Sequence, residues 1–257
     1  MKVKIKFENI FVVLSILFIF GCCCFYGTRL VKYYRVFNPK NEAGEKTEVF
    51  SSTVRQNNPV VSEGDGLYIH NGDFVFKGEE VNNYVSYIGK TWRIMQVNRT
   101  GSVKLVLDEP LTEMIYDEEE NTYDKSKIYN YIKDKENLKL DTTSLEKMTI
   151  CLDLIDDSSK VSCEKSIEDY VSILSISDYG NSVNTATNKT FLNNSDYIWL
   201  YNQNSEGLSW NVTKGFLTQS EFDSEYAVKP VIILKGTAHS ENGDGTKDNP
   251  YIVKDGE

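Results

Sequence analysis

A chain of 257 residues with 40% hydrophobic content is enough for one large packed domain or two small ones, not a disordered tail. The formal charge is −10, and because residues 1–40 carry +6, residues 41–257 carry −16. So acidic a body argues against a nucleic-acid partner, whose binders show the opposite electrostatic footprint, and leaves cations and neutral sugars open.

The chain begins with the basic stretch MKVKIKFEN. The apolar run IFVVLSILFIFGCCCFYG follows, about long enough to span a hydrocarbon core as a helix. A cleaved signal peptide needs a small-x-small site after the run, and none is evident. A lipoprotein signal needs small residues before its cysteine, and Ile19-Phe20-Gly21-Cys22 carries a bulky Phe20 instead. The expectation is a retained membrane anchor over residues 1–37, with Tyr26, Tyr33 and Tyr34 at the membrane–water boundary. Flanking charge leaves its orientation open, because Lys2, Lys4 and Lys6 are answered by Arg29, Lys32 and Arg35. Cys22, Cys23 and Cys24 lie inside the run, where adjacent thiols on one helix cannot converge as a closed metal site. Cys151 and Cys163 close the short loop CLDLIDDSSKVSC, which suggests a disulfide and an oxidising compartment; two unpaired buried thiols are the alternative. The pair favours a single-pass protein with its C-terminal domain outside the cytoplasm.

Residues 38–65 are polar, with few large apolar side chains, and read as a juxtamembrane stalk with a helical middle. From Gly66 the texture changes, and residues 66–257 are expected to form one domain. LYIHNGDFVFKG predicts a hairpin turning at Asn71-Gly72. NYVSYIGKTWRIMQVN predicts two strands joined at Gly89-Lys90. SVKLVLDE alternates, with Val103, Leu105 and Leu107 on one face. Ile128, Tyr131 and Ile132 have helical spacing behind a Ser126 cap, and TTSLEKMTICLD suggests a second short helix. DYVSILSISDYG returns to strand-like texture, and residues 181–222 are loop-rich around the apolar islands YIWLYN and LSWNV. EYAVKPVIILKG reads as one buried strand that tolerates Pro230 near its start.

In this order, the WRI strand, the SILSISDYG segment, YIWLYN, VKPVIILKG and the terminal GDGTKDNPY resemble a family of uncharacterised membrane-anchored surface proteins of Gram-positive bacteria. The resemblance covers about residues 66–253. Lys229 stands where that family usually has arginine, and lysine lacks the planar fork of a guanidinium. The family's late tryptophans and RPV strand are similar to the end of the C-type-lectin-like and formylglycine-generating-enzyme folds. That implies a lectin-like scaffold by fold analogy alone.

Candidate chemistry is sparse. The two histidines, His70 and His239, sit in no recognisable nucleophile motif, and zinc or phosphate-loop patterns are absent from the sequence. The body holds 37 Asp and Glu residues, enough to give carboxylate pairs by chance. Trp199 and Trp210, in loop-rich sequence, are candidates for an aromatic sugar platform, with Asp178 and Tyr179 beside them; a core role is the alternative. Trp92 reads as core, and the acidic run at Asp117–Glu120 as a solvated loop. Asn242, Asp244, Thr246 and Asp248 fall at alternate positions, as calcium-loop ligands do. A bidentate Glu at position 12 is missing, however, because Val253 stands there, and Pro250 blocks a following helix. A turn between two terminal strands is therefore expected, with Asn242, Asp244 and Asp248 as the metal candidates.

The expected architecture is α+β: a single N-terminal transmembrane helix followed by an antiparallel-sheet domain with short helices. No cofactor is expected. The expected function is a non-catalytic surface module that binds a glycan, a cell-wall polymer or another surface protein. A hydrolase or oxidoreductase on a lectin-like scaffold is one alternative, and a structural subunit of a surface appendage is another.

Overall fold

The computed structural model describes residues 49–119 and 122–254. The expected anchor, the first part of the stalk and Cys22–Cys24 lie outside the described residues. Among those described, no helix is long and apolar enough to cross a membrane. The body is mostly antiparallel sheet with a few short helices.

The folded body begins before Gly66. Helix α1 (Phe50–Asn57) lies within the expected stalk, and its Phe50 and Val54 are fully buried in the core. Residues 49–57, within the expected stalk, thus pack with the body. The signal was faint because α1 buries only one narrow apolar stripe and is otherwise polar.

Strands β1 (Gly66–His70) and β2 (Asp73–Lys77) form the expected hairpin, and Asn71 and Gly72 turn it at φ 51° and 87°. Strands β3 (Tyr84–Tyr87) and β4 (Lys90–Val97) form the second hairpin. Its turn is Ile88-Gly89 rather than Gly89-Lys90, because Lys90 already pairs with Tyr87. The first half of the long β4 pairs with β3 and its last residues with β2, while β5 (Val103–Leu107) runs along its other edge.

The next segment crosses to a second sheet. Strand β6 (Thr112–Ile115) precedes a 3-10 turn at Tyr123–Lys125 and helix α2 (Lys127–Lys133). Ser126 caps α2 as expected, its Oγ accepting from the Tyr129 N–H at 3.2 Å. A four-residue helix, α3 (Lys135–Leu138), follows. The helix expected in TTSLEKMTICLD is instead a 3-10 turn at Thr142–Ser144 leading into β7 (Leu145–Glu146) and β8 (Met148–Cys151). β8 pairs with β9 (Ser166–Asp169), and the disulfide Cys151–Cys163 closes the connection with Cα atoms 5.1 Å apart.

Beyond β10 (Val171–Ile173), the segment SISDYG forms helix α4 (Ile176–Ser182) rather than more strand. A capping box decides it: Ser175 Oγ accepts from the Asp178 N–H, and the Asp178 carboxylate accepts from the Ser175 N–H. The second sheet is then completed by β11 (Tyr197–Gln203), β12 (Ser209–Thr213), β13 (Phe216–Ser220) and β14 (Glu225–Val228), in the order β13-β12-β11-β14-β6. EYAVKPVIILKG is two strands, not one. β14 belongs to the second sheet, and β15 (Pro230–Leu234) lies in the first, between β5 and β10. Only Lys229 separates them.

The last strand, β16 (Tyr251–Ile252), pairs parallel to β3. Tyr251 is fully buried, meets Phe50 edge-on at 5.6 Å, and accepts a hydrogen bond from Asn58 Nδ2. The loop before it is the GDGT segment. Asp244 Oδ1 accepts from the Thr246 N–H at 3.0 Å and Thr246 Oγ1 at 2.8 Å, and the Gly245 carbonyl accepts from the Tyr84 N–H. The strand connector expected there is what forms. Gly245 has φ +84°, and a Cβ on it would lie 2.5 Å from the Asn82 carbonyl oxygen.

Two tests follow from this packing. Gly245→Ala should destabilise the body by about 2–4 kcal/mol in urea unfolding, through positive φ and a backbone clash. Thiol labelling of the unfolded protein should modify Cys151 and Cys163 only after reductant. Losing the bridge through Cys163→Ser should cost about 3 kcal/mol, the chain-entropy value for so short a loop.

Candidate functional site

The tryptophans expected to form one platform point to opposite faces of the second sheet. Trp199 pairs across the sheet with Asn211, the neighbour of Trp210, and side chains alternate along a strand. Both are core residues. Trp199 is 0% exposed, packs edge-on to Tyr116, and donates its indole N–H to the Met114 carbonyl. Trp210 donates its own to the Ile155 carbonyl at 2.6 Å, which docks the disulfide loop onto β12. Asp178 and Tyr179 are buried as well. Asp178 is occupied by the α4 cap and an ion pair with Lys104, and the Tyr179 hydroxyl lies 2.8 Å from the Gly215 carbonyl and 3.0 Å from Asn193 Oδ1. All four side chains are buried, and their polar atoms are engaged within the body.

The metal candidates fare similarly. Asp244 is engaged by its own turn, and its hydrogen bonds from Thr246 hold the carboxyl below the usual range. Among the described residues no group of three or more His, Cys, Asp or Glu converges on a common point.

A different surface emerges on the Trp199 side of the second sheet. Thr213 pairs with Tyr197 on one side and Phe216 on the other, so the three form one row on one face. The next row on that face joins Trp199, Asn211 and Thr218, and then Ser209 pairs with Ser220. Tyr197 is 40% exposed and Phe216 62% exposed. Tyr197 stacks on Tyr226 of β14, with ring centroids 5.2 Å apart and planes 22° from parallel. Beside this pair, fully buried Asn211 organises the polar side chains. Its Oδ1 accepts from Thr213 Oγ1 at 2.8 Å and Thr218 Oγ1 at 2.6 Å, and its Nδ2 donates to Ser220 Oγ at 2.9 Å. Ser220 Oγ and the Tyr226 hydroxyl lie 2.9 Å apart.

The chemistry of this face is specific. Thr213 and Thr218 direct their protons to Asn211 and their oxygens lie 3.1 Å from each other, and the lone pairs left over can accept from an incoming donor. The exposed aromatic edge next to them offers apolar contact area. A ligand with both C–H faces and hydroxyl donors suits such a surface. The sequence signal was the alternation in FLTQS and SWNVT, which places Phe216, Thr218 and Ser220 together; only the pairing register shows that Tyr197 and Tyr226 join them.

Two buried polar groups lie elsewhere. Arg93 donates Nε–H to Asn83 Oδ1 at 2.5 Å, ion-pairs with Asp108 at 3.4 Å, and lies 3.7 Å over the Tyr84 ring. Burial lowers its pKa from the ordinary arginine value. Lys229, fully buried, donates to Asn194 Oδ1 at 2.6 Å, and the Asn194 amide in turn donates to the Asp108 carbonyl at 2.5 Å. Burial, opposed by Asp108 and Glu109 and reinforced by Arg93, brings the Lys229 pKa down to about 8.

The second group is a tyrosine cluster. Tyr116, Tyr123, Tyr129 and Tyr201 pack ring against ring. The Tyr129 hydroxyl donates to Asp169 at 2.5 Å, and Lys133 pairs with the same carboxylate at 2.8 Å. Burial would raise the Asp169 pKa, but these hydrogen bonds hold it below its usual range. Burial drives all four phenols up, Tyr129 and Tyr201 to about 12. Phenols held this firmly protonated are poor bases at neutral pH.

The sign of the resulting pH dependence is fixed. Between about pH 10 and 12 the unfolded chain releases these phenolic protons while the folded one keeps them, so stability falls as pH rises. A tyrosinate absorbance titration should show these phenols ionising together with unfolding, well above pH 10.

No protein-family model, curated protein or solved structure matches this chain.

Proposed function

We propose that this chain is a membrane-anchored surface protein whose extracytoplasmic body binds a neutral glycan without catalysis, through the β13-β12-β11 face. One observation carries the reading: exposed Tyr197, stacked on half-buried Tyr226, beside the Asn211-centred hydroxyl ladder. Sugar rings present C–H patches suited to aromatic faces and hydroxyls suited to fixed acceptors. Hydrogen bonding among Asn211, Thr213, Thr218 and Ser220 preorganises those groups, so less ordering is lost on binding. The acidic balance of residues 41–257 is compatible with a neutral polymer and unfavourable for a polyanion.

The location rests on two further features. The apolar run before Gly27 has the length of a single membrane span, and the Cys151–Cys163 bridge suits an oxidising compartment. We take the scaffold as lectin-like in the sense that a fixed sheet carries the binding groups.

Binding of the detergent-solubilised full-length protein to neutral cell-wall polysaccharide tests the reading. Tyr197→Ala and Phe216→Ala should each weaken it about tenfold, the worth of one aromatic contact, with unchanged thermal stability. Retention unaffected by both substitutions, or absent for every wall fraction, would sink the assignment.

A further inference from the structure

Lys229 sits where the chain leaves the second sheet for the first, and its side chain is 0% exposed. A lysine ammonium carries three donors. Here it meets one acceptor, Asn194 Oδ1, at 2.6 Å, and among the described residues no carboxylate comes within ion-pairing distance of it. Asp108 and Glu109 act on it only through their fields. Burial without a paired anion is costly for an ammonium and favours the neutral amine. With the pKa near 8, roughly a tenth of Lys229 is neutral, and so nucleophilic, at pH 7.

The partner is an electrophile. A carbonyl bond of about 1.2 Å places Asn194 Cγ about 3 to 4 Å from Lys229 Nζ, close to the separation of a near-attack arrangement. The Asn194 Nδ2, the group that would leave, already donates to the Asp108 carbonyl at 2.5 Å, which pins the amide in place. The Asp108 side chain is itself largely buried and ion-paired with Arg93, and it acts on Lys229 through its field.

We propose that Lys229 and Asn194 join in an intramolecular isopeptide bond. The neutral Nζ adds to Asn194 Cγ, the Cγ–Nδ2 bond breaks, and a secondary amide remains. One proton passes from Nζ to the departing nitrogen, and ammonia leaves. Nothing is oxidised or reduced, and no further reactant is needed. Asn194 is exposed at the surface, so ammonia has a short way out. The bond ties the long loop of residues 183–196 to the joint between the sheets. The inference stands whether or not the sheet face binds a glycan.

Peptide mass spectrometry of the reduced, trypsin-digested full-length protein tests it. Cleavage after Lys189, Lys214 and Lys235 yields peptides 190–214 and 215–235, and the Lys229-Pro230 bond resists trypsin. The expected species is the two peptides joined, lighter than their sum by one ammonia. Lys229→Arg and Asn194→Ala should each release them separately. Asn194→Asp should leave the two peptides separate, because an exposed carboxylate is ionised and not electrophilic. Recovery of both wild-type peptides free, at their sequence masses, would overturn the proposal.

Discussion

Two sheets share one backbone at Lys229, and the arrangement of the body follows from that passage. β14 ends the chain's path through the second sheet and β15 enters the first between β5 and β10, with one residue between them. A one-residue link leaves almost no freedom in how the sheets are joined. Pro230 suits the position, since its fixed φ and missing N–H mark where one ladder stops and another starts. The constraint also explains why a cation is buried there. The residue between two core strands cannot turn to solvent, so its side chain finds polar company in Asn194, Asp108 and the Arg93 group. Such a buried group costs stability unless its donors are met.

Around this joint the termini of the described body are drawn together. α1 lays Phe50 against Tyr251, and the GDGT turn hydrogen-bonds to Tyr84 at the start of β3. The tail motif therefore acts as a clasp. Its polar residues satisfy one another, and its two glycines allow close backbone approach where any side chain would collide. The same principle governs the disulfide loop, whose Ile155 carbonyl accepts from Trp210 and whose Asp156 accepts from Ser205. Trp199 and Trp210 are buried and hydrogen-bonded within the body, while the exposed aromatics on the second sheet are Tyr197 and Phe216.

Much of the architecture was legible in the sequence through local rules. The Asn71-Gly72 turn, the alternation of β5, the Ser126 cap and the Cys151–Cys163 loop each depend on neighbours close in the chain. Failures occurred where a long-range partner decided. The stalk proved partly core because Phe50 finds Tyr251 at the opposite end of the chain. SISDYG is a different case: its helix carries a local signal, the Ser175–Asp178 capping box, which the strand-like apolar run before it obscured, and Lys104 of β5 then fixes Asp178.

The sequence by itself determined the two N-terminal hairpins, the Ser126-capped helix, the acidic body, the disulfide pair and the turn nature of NGDGTKDNPY, because propensity, spacing and turn chemistry act over a few residues. Tertiary structure alone decided which aromatics are buried and which exposed, since strand register sets the face on which a side chain appears. It placed Trp199 and Trp210 on opposite sides, assembled Tyr197, Tyr226 and Phe216 around Asn211, and brought Asn194 to Lys229 across 35 residues of chain. Side chains so far apart in sequence meet only when pairing between distant strands closes the loops between them.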